Sequence, residues 1–180
     1  MRIVAGKHRG MQLYTFDADN IRPTTDRVRE NIFNKLQFGI QNSSVLDLFC
    51  GTGAVSLEFL SRGAREVVSV DNNKASISLI KQNFKKAKET PNLVEKDYIQ
   101  ALNTLKNNAF DYIFLDPPYA TDFGDKALKI IAEFDILAQD GLIIYEHLVD
   151  KNFSIPNGYE LLDAKKYGTI VVSYIGRRND

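Results

Sequence analysis

Four consecutive residues, Asp116, Pro117, Pro118 and Tyr119, combine a carboxylate, a rigid backbone and an aromatic ring. They follow an apolar run, residues 112–115, that is typical of a buried strand. Two consecutive prolines fix φ and remove two backbone donors, so nearby carbonyl groups remain able to accept hydrogen bonds from a ligand. The carboxylate adds two acceptor oxygens. This tetrapeptide predicts a site for a flat polar amine, although Asp-Pro-Pro alone is also typical of a turn.

A glycine-containing loop lies between the strand predicted at residues 45–49 and a helical pattern. Gly51 and Gly53 allow positive φ and close approach of a ligand, while the start of the helix supplies free amide donors. A dinucleotide-binding loop requires a third glycine where this chain has Ser56, and Asp47 would repel a pyrophosphate. The loop therefore favours a cationic ligand, with a plain structural turn as the alternative.

Acidic side chains also end the next two predicted strands. Asp71, followed by Asn72, lies 18 residues beyond Gly53, where an acid can accept both hydroxyls of a ribose. Asp97, with Tyr98 beside it, ends the following strand. Each acid alone could cap a helix. Together they favour a nucleoside that carries positive charge, and they predict S-adenosylmethionine as the cofactor.

Methyl transfer from a sulfonium is an in-line displacement, so positioning of the nucleophile is most of the task. A purine amine is a poor nucleophile because its lone pair is delocalised into the ring. Acceptance of both N–H groups, by the Asp116 carboxylate and the Pro117 carbonyl, would favour a more pyramidal nitrogen. Asp116 could also take the released proton. Tyr119 could stack on the base, a contact worth roughly 1 to 3 kcal/mol in single-stranded recognition.

Short apolar runs alternate with helical patterns from residue 45 onward, which indicates βαβ units and a mostly parallel sheet. The predicted strands are residues 45–49, 66–70, 93–96, 112–115 and 142–145, followed by a terminal antiparallel pair at 159–164 and 169–175. The predicted helices are residues 54–62, 73–88, 98–106 and 124–137. The fold class is therefore α/β, with seven strands in one domain that spans residues 1–180.

Residues 1–40 do not fit the repeat and are predicted to form an appendage on this domain. Alternation and two glycines predict a small β-hairpin over residues 2–13, and a helix capped by residues 23–26 follows. Its apolar face would leave Arg27 and Arg29 exposed. The net charge is zero, yet residues 1–36 and 165–180 each carry +3. Basic ends are a weak sign of contact with nucleic acid, and an ordinary solvated surface is an equal alternative.

The composition predicts a cytoplasmic domain without disulfides. The 180 residues contain a single cysteine, Cys50, and the N-terminus lacks the apolar core of a signal peptide. No apolar run reaches the length that spans a membrane. His8 and His147 have no partner ligands nearby in sequence, so no metal site is predicted. Arg177 and Arg178 are expected to form a solvated tail, and a monomer is favoured.

With these motifs in hand, the chain resembles the class I S-adenosylmethionine-dependent methyltransferases, which have a Rossmann-like fold. Among them it resembles the bacterial family that methylates the N2 amine of a guanine in 16S ribosomal RNA. Residues 2–6, 9–10 and especially 22–30, Arg-Pro-Thr-Thr-Asp-Arg-Val-Arg-Glu, are similar to the N-terminal segments of that family. The resemblance covers nearly the whole chain.

The resemblance implies a role for each predicted site residue. Asp47, Gly51 and Gly53 would approach the methionine part of the cofactor. Asp71 with Asn72 would hold the ribose, Asp97 with Tyr98 would meet the adenine, and the Asp116 tetrapeptide would receive a flipped guanine. The basic side chains expected to hold RNA are Lys7, Arg9, Arg22, Arg27 and Arg29. The implied partner is 16S rRNA within an assembled or assembling small subunit, where RNA shape contributes to recognition.

Other functions remain open at this point. DNA adenine-N6 and protein glutamine-N5 methyltransferases use a related tetrapeptide, usually headed by Asn, where this chain has Asp116. A pyrimidine-C5 methyltransferase is disfavoured because it needs a nucleophilic cysteine, and Cys50 lies in the cofactor loop. A non-catalytic RNA-binding assembly factor is disfavoured because the acidic and glycine positions are intact. The base itself, guanine or adenine, rests on the resemblance alone.

Overall fold

A computed structural model describes residues 1–16 and 26–179, and in this part of the chain seven strands form a single mixed sheet. The strands are β1 (Ser44–Asp47), β2 (Glu66–Val70), β3 (Asn92–Val94), β4 (Phe110–Leu115), β5 (Leu137–Leu148), β6 (Tyr159–Tyr167) and β7 (Ile170–Arg177). The helices are α1 (Asp26–Leu36), α2 (Ala54–Ser61), α3 (Lys74–Ala87), α4 (Tyr98–Leu105) and α5 (Phe123–Phe134).

The sheet order is β3-β2-β1-β4-β5-β7-β6. Strands β1 to β5 run parallel, while β7 lies antiparallel between β5 and β6. The order reverses between β1 and β4, because the chain first moves outward to β3 and then returns to the other side of β1. Such a switch point opens a crevice at the carboxyl ends of the strands, which is where ligands bind in open α/β sheets.

Both faces of the central strands are buried, as a parallel sheet requires. All four residues of β1 are buried, although the strand begins and ends with polar side chains. Helix α1 and Phe59 of α2 pack on one face, and α4 and α5 pack on the other. A third apolar cluster lies between α2 and α3 and includes Ile3 and Leu13 from the N-terminal segment. The sheet is therefore a rigid layer that fixes the positions of the loops at its carboxyl edge.

The predicted helices and strands of the core are confirmed, with differences at a few ends. Strand β5 begins at Leu137, five residues before the predicted start at 142, because Leu137 pairs with Phe110 ahead of an irregularity in the register. Helix α5 ends at Phe134 because Asp135 adopts positive φ, 56°, and closes the helix. None of the helices in the described ranges is both long and apolar enough to cross a membrane.

The N-terminal segment differs from its prediction. Residues 2–13 reverse direction, but they form only one isolated bridge, Arg2 with Gln12, and not a β-hairpin with two strands. The segment instead lies against α2, where the Glu58 carboxylate accepts hydrogen bonds from the amides of Val4 and Ala5 at 2.8 and 3.0 Å. The two arms are joined by backbone hydrogen bonds of 3.0, 2.8 and 3.0 Å, from the amides of Ile3, Gly10 and Leu13 to the carbonyls of Met11, Ile3 and Met1, and the contacts with α2 add to them. The predicted cap at residues 23–25 lies outside the described residues.

Candidate cofactor and acceptor site

A cleft of about 740 Å³ opens at the carboxyl edge of the sheet, at the switch point. This volume lies within the range of roughly 300 to 1,000 Å³ that small-molecule sites occupy. The cleft is lined by loops that follow four strands, by the start of α5 and by one residue of the N-terminal segment. The lining residues are Phe16, Leu48, Phe49, Gly51, Asp71, Asn72, Asn73, Ala75, Ser76, Lys96, Asp97, Tyr98, Asp116, Pro117, Pro118, Tyr119 and Phe123.

The glycine loop after β1 is held open toward this cleft. Gly51 and Gly53 have φ of 51° and 78°, in the left-handed region that glycine adopts without strain. A Cβ added at Gly51 would meet no atom within 4 Å, so the backbone there is open to a ligand. A Cβ added at Gly53 would lie 2.6 Å from Ile80, so this glycine permits packing of the loop against α3. The first glycine therefore leaves its backbone accessible at the cleft, and the second permits packing against α3.

Asp71 joins the glycine loop to the next strand end. One carboxylate oxygen accepts a hydrogen bond from the Gly51 amide at 2.9 Å, and the other accepts from the Asn73 amide at 2.8 Å. Each carboxylate oxygen has a second lone pair, so acceptor capacity remains for ligand hydroxyls. Because Asp71 lines the cleft in a fixed orientation, its acceptor groups suit the two hydroxyls of a ribose.

Asp97 both caps a helix and lines the cleft. Its Oδ1 accepts from the amides of Ile99 and Gln100 at 2.9 and 3.1 Å, which satisfies two donors at the start of α4. From the sequence, a helix cap and a ligand site were alternative interpretations of Asp97. The structure shows that Asp97 caps α4 and also lines the cleft. Tyr98, next to it, is largely buried and places its ring against the cleft.

Aromatic rings form the apolar part of the cleft near α4. The rings of Phe49 and Phe123 lie 5.4 and 5.0 Å from the Tyr98 ring, all in tilted arrangements. Such a cluster can hold a flat purine between apolar faces while the nearby acids accept hydrogen bonds from its polar edge. Glycine backbone, two acids and an aromatic cluster in one cleft fit the donor and acceptor groups of S-adenosylmethionine.

The tetrapeptide after β4 lies at the opposite side of the switch point from β2 and β3. Pro117 is buried, Pro118 is exposed, and all four residues line the cleft. The Tyr119 hydroxyl donates a hydrogen bond of 2.6 Å to Glu146 of β5, whose side chain is fully buried. This bond fixes the direction of the ring. The structure thus brings the tetrapeptide predicted to bind an amine into the same cleft as Gly51, Asp71 and Asp97.

Asp47 and Gly53 do not line the cleft. Asp47 is buried beneath the glycine loop, where Ser56 donates a hydrogen bond of 2.6 Å to its carboxylate. Burial raises the pKa of Asp47 to about 7, opposed by the hydrogen bond from Ser56 and assisted by the negative charge of Asp71. Contact of Asp47 with a cofactor stays a prediction, and its visible role is to hold the start of α2 through Ser56, which also pairs with Ser69 at 2.7 Å.

The basic residues predicted to hold RNA are dispersed. The Lys7 amide donates to the carbonyl of Ser61, the last residue of α2, so Lys7 lies about one helix length, roughly 12 Å, from the glycine loop. The Lys7 ammonium pairs with Glu89. Arg9 is exposed in the same turn, and Arg27 is exposed at the start of α1. Arg22 lies outside the described residues.

Arg29 corrects a prediction. It was expected to be exposed, but its side chain is only 1% exposed. The guanidinium donates to Asp26 at 2.8 Å and to the carbonyl of Arg2, so it joins α1 to the N-terminal segment. Burial lowers the pKa of Arg29, opposed by the charges of Asp26 and Glu58. Arg177 is likewise not part of a solvated tail, because it lies in β7 and donates to the carbonyl of Leu137.

Several residues of the site were missed by the sequence analysis. Phe16, Lys96 and Phe123 line the cleft, and nothing in their local sequence distinguishes them. Glu146 carries a signal that could have been used, because it is a carboxylate that directly follows the apolar residues 142–145 of β5. A charged residue that is buried in a strand needs a partner, and the Tyr119 hydroxyl is one.

Comparisons of the sequence with known proteins identify its family. The sequence profile of the family described as conserved hypothetical protein 95 matches residues 1–176. Ribosomal RNA small subunit methyltransferase D of Haemophilus influenzae is 34% identical over 178 residues, which cover 97% of this chain and 91% of that protein. The protein of the same name from Escherichia coli is 30% identical over 171 residues, which cover 94% and 86%.

Solved structures give the same result. The structure of yhhF from Escherichia coli matches with a TM-score of 0.89 and 28% identity, and the match covers 98% of this chain and 97% of that one. A hypothetical protein from Thermus thermophilus matches with a TM-score of 0.82 and 26% identity, covering 98% and 99%. Profile, sequence and fold therefore agree over nearly the whole chain. The protein belongs to the conserved hypothetical protein 95 family of S-adenosylmethionine-dependent methyltransferases.

Proposed function

We propose that this protein transfers a methyl group from S-adenosylmethionine to the exocyclic N2 amine of a guanine in 16S small-subunit rRNA. The observation that carries this proposal is that Asp116 and Pro117 line the same cleft as Asp71 and Asp97. Acceptor and donor sites therefore adjoin, as direct transfer requires. The names of the relatives from Haemophilus influenzae and Escherichia coli support ribosomal RNA as the substrate class.

Different residues of the cleft would bind different parts of the cofactor. Gly51 offers open backbone, Asp71 offers fixed acceptor groups for hydroxyls, and Asp97 with Tyr98 offers an acceptor group and an apolar ring for a purine. When it is bound, S-adenosylmethionine supplies a methyl group activated by the positive charge on its sulfur. An acidic and aromatic cleft suits that charge, because carboxylates and ring faces both attract cations.

The tetrapeptide would orient the acceptor amine. The Asp116 carboxylate and the Pro117 carbonyl accept its two N–H groups, which directs the nitrogen lone pair toward the methyl group. The Tyr119 ring, held by Glu146, stacks on the base and fixes its plane. Asp116 is also placed to take the proton that the amine loses after transfer. A stacked guanine cannot reach the cleft, so the base must be flipped out of its helix.

Small-subunit RNA in an assembled or assembling particle is the proposed form of the substrate. The whole chain has a net charge of zero, so unaided binding to a polyanion would be weak. Arg9 and Arg27 are exposed and can reach phosphates away from the target nucleotide. Specificity would then come from the shape of the particle together with the fit of one flipped base in the cleft.

Transfer of a labelled methyl group to small-subunit particles from cells that lack the protein tests the proposal. We expect one labelled guanine, methylated at N2, in particles and much less label in free 16S RNA. Labelling of an adenine, or of protein, would refute the proposed acceptor. Absence of S-adenosylmethionine binding in calorimetry would refute the enzyme itself and leave a non-catalytic assembly factor.

Two variants separate the roles within the cleft. Asp116→Ala should abolish methyl transfer and leave cofactor affinity nearly unchanged, because the residue faces the acceptor. Asp71→Ala should weaken cofactor binding by about tenfold or more, since it removes ligand acceptor groups and two hydrogen bonds that hold the loop. Full transfer by the first variant, or unchanged cofactor affinity in the second, would contradict these assignments.

A further inference from the structure

One wall of the cleft comes from the N-terminal segment. Phe16 lines the cleft together with Gly51 and Asp71, although it precedes the first strand by many residues and belongs to no helix or strand. Its ring is partly buried. As a lining residue, it borders the space in which the cofactor is proposed to bind.

Asn83 of α3 holds the chain close to this ring. Its side chain is fully buried, its Oδ1 accepts from the Tyr14 amide at 2.8 Å, and its Nδ2 donates to the Tyr14 carbonyl at 3.0 Å. One side chain therefore pairs with both backbone groups of Tyr14, as a neighbouring strand would. Two residues of extended chain span at most about 7 Å, so fixing Tyr14 confines the position of Phe16.

The same side chain also holds the glycine loop. Asn83 Nδ2 donates a second hydrogen bond, of 2.8 Å, to the carbonyl of Thr52, which lies between Gly51 and Gly53. The amide group thus links three parts of the chain that are distant in sequence: α3, the N-terminal segment and the cofactor loop. Because the group is shielded from water, loss of either partner would leave a buried polar atom without its hydrogen bond.

We propose that Phe16 is a cofactor-contacting residue and that Asn83 is a positioning residue, which sets Phe16 and the glycine loop at a fixed separation. This inference rests on the proposed cofactor site. The ring contributes an apolar or cation–π contact with a positively charged nucleoside. Asn83 does not touch the ligand, and its effect on binding passes through the backbone of Tyr14 and Thr52.

Calorimetric titration of S-adenosylmethionine into the full chain tests the inference. Phe16→Ala should raise Kd about tenfold, while Phe16→Tyr should bind nearly as the wild type does. Phe38→Ala is the matched control, because it removes a ring that is 94% exposed and does not line the cleft. A parallel titration with S-adenosylhomocysteine, which lacks the sulfonium charge, distinguishes a contact with the charge from a contact with the rest of the nucleoside.

A double-mutant cycle tests the positioning role. Asn83→Ala should raise Kd about tenfold or more, because it releases both Tyr14 and Thr52. Adding Phe16→Ala to Asn83→Ala should raise Kd by no more than a further factor of about two, because the contact of Phe16 is already lost. A purely structural role for Asn83 predicts that the two losses multiply to about a hundredfold. If Asn83→Ala fails to fold, Asn83→Asp keeps the acceptor for the Tyr14 amide and serves instead.

The outcomes separate this inference from the proposed function. Wild-type protein that binds no S-adenosylmethionine would overturn both. Wild-type binding that Phe16→Ala leaves unchanged would overturn only the inference about Phe16. Losses that multiply across the cycle, or Asn83 variants that keep wild-type affinity, would overturn the positioning role.

Discussion

Glu58→Gln is the change that should most clearly show how the N-terminal segment is attached to the core. The Glu58 side chain is fully buried, and Oε1 accepts from the Ala5 amide at 3.0 Å and from Arg62 Nε at 2.8 Å. Oε2 accepts from the Val4 amide at 2.8 Å. Glutamine has nearly the same shape, but its amide nitrogen would stand where Oε2 accepts, so a donor would face a donor.

The size of the effect follows from these contacts. One hydrogen bond to a charged group, worth about 1.5 to 3 kcal/mol, is lost at Val4. The guanidinium of Arg62, only 10% exposed, also loses its negative partner. Breaking a buried ion pair by removing one charge costs about 3 to 5 kcal/mol. Because these terms overlap, we expect the free energy of unfolding to fall by about 3 kcal/mol, and the Tm by roughly 6 to 12 °C.

Urea denaturation at pH 7 measures the loss, and amide hydrogen exchange locates it. Exchange at Val4 and Ala5 should accelerate most, because their amides lose the carboxylate. Glu95→Gln is the matched control: it breaks the exposed pair with Lys81 and should change stability by less than about 1 kcal/mol. A Glu58→Gln variant within about 1 kcal/mol of the wild type would refute the attachment that the hydrogen bonds indicate.

Three further changes test other parts of the site. The pKa of Asp47, about 7 in the folded protein, lies above the value of about 3.9 expected in the unfolded chain, so its ionisation reduces stability as pH rises from about 4 to 7. The stability of Asp47→Asn relative to the wild type should therefore increase across that window, on the order of 4 kcal/mol in total. If the free energies of unfolding of the variant and the wild type differ by the same amount at pH 5 and at pH 8, this expectation is wrong. Gly53→Ala should lower the free energy of unfolding by about 2 to 4 kcal/mol, because the new Cβ would lie 2.6 Å from Ile80 and the backbone has a φ of 78°. Gly10→Ala is the control: its φ is similar but the space around it is open, so the same denaturation assay should show a loss of only about 1 kcal/mol. Tyr119→Phe should slow single-turnover methyl transfer about tenfold without changing cofactor affinity, because the ring remains but loses the hydrogen bond that orients it. Transfer at the wild-type rate would show that this hydrogen bond is not needed.

The sequence allowed the central part of the site to be predicted because parallel strands end at one edge. Asp71, Asp97 and Asp116 each follow a predicted strand, and in a parallel sheet such positions meet at the same edge whatever the details of packing. The helices between them were also predictable, since their apolar residues recur at helical spacing. Strand order, which creates the switch point, was not predicted, because it depends on pairing between segments that are distant in the sequence.

The remaining features depend on contacts between distant segments. Phe16 lines the cleft only because the N-terminal segment crosses α2 and α3, and no local pattern specifies that path. Arg29 was expected at the surface because it is charged, yet it lies three and four residues before Ile32 and Phe33 and therefore on their face of α1. The carboxylate that makes burial tolerable, Asp26, stands three residues earlier and was visible in the sequence.

The reversal of β7 has a consequence for which parts of the surface lie beside the acceptor. Because β7 is antiparallel to β5, Ile170 stands opposite Leu148, and the turn before β7 lies at the carboxyl edge of the sheet. The exposed Lys165 and Lys166 therefore sit toward the edge that carries the cleft, whereas Lys7 sits at the opposite end of α2. Strand direction, and not distance along the chain, therefore sets which positive charges share an edge of the sheet with the proposed nucleotide site.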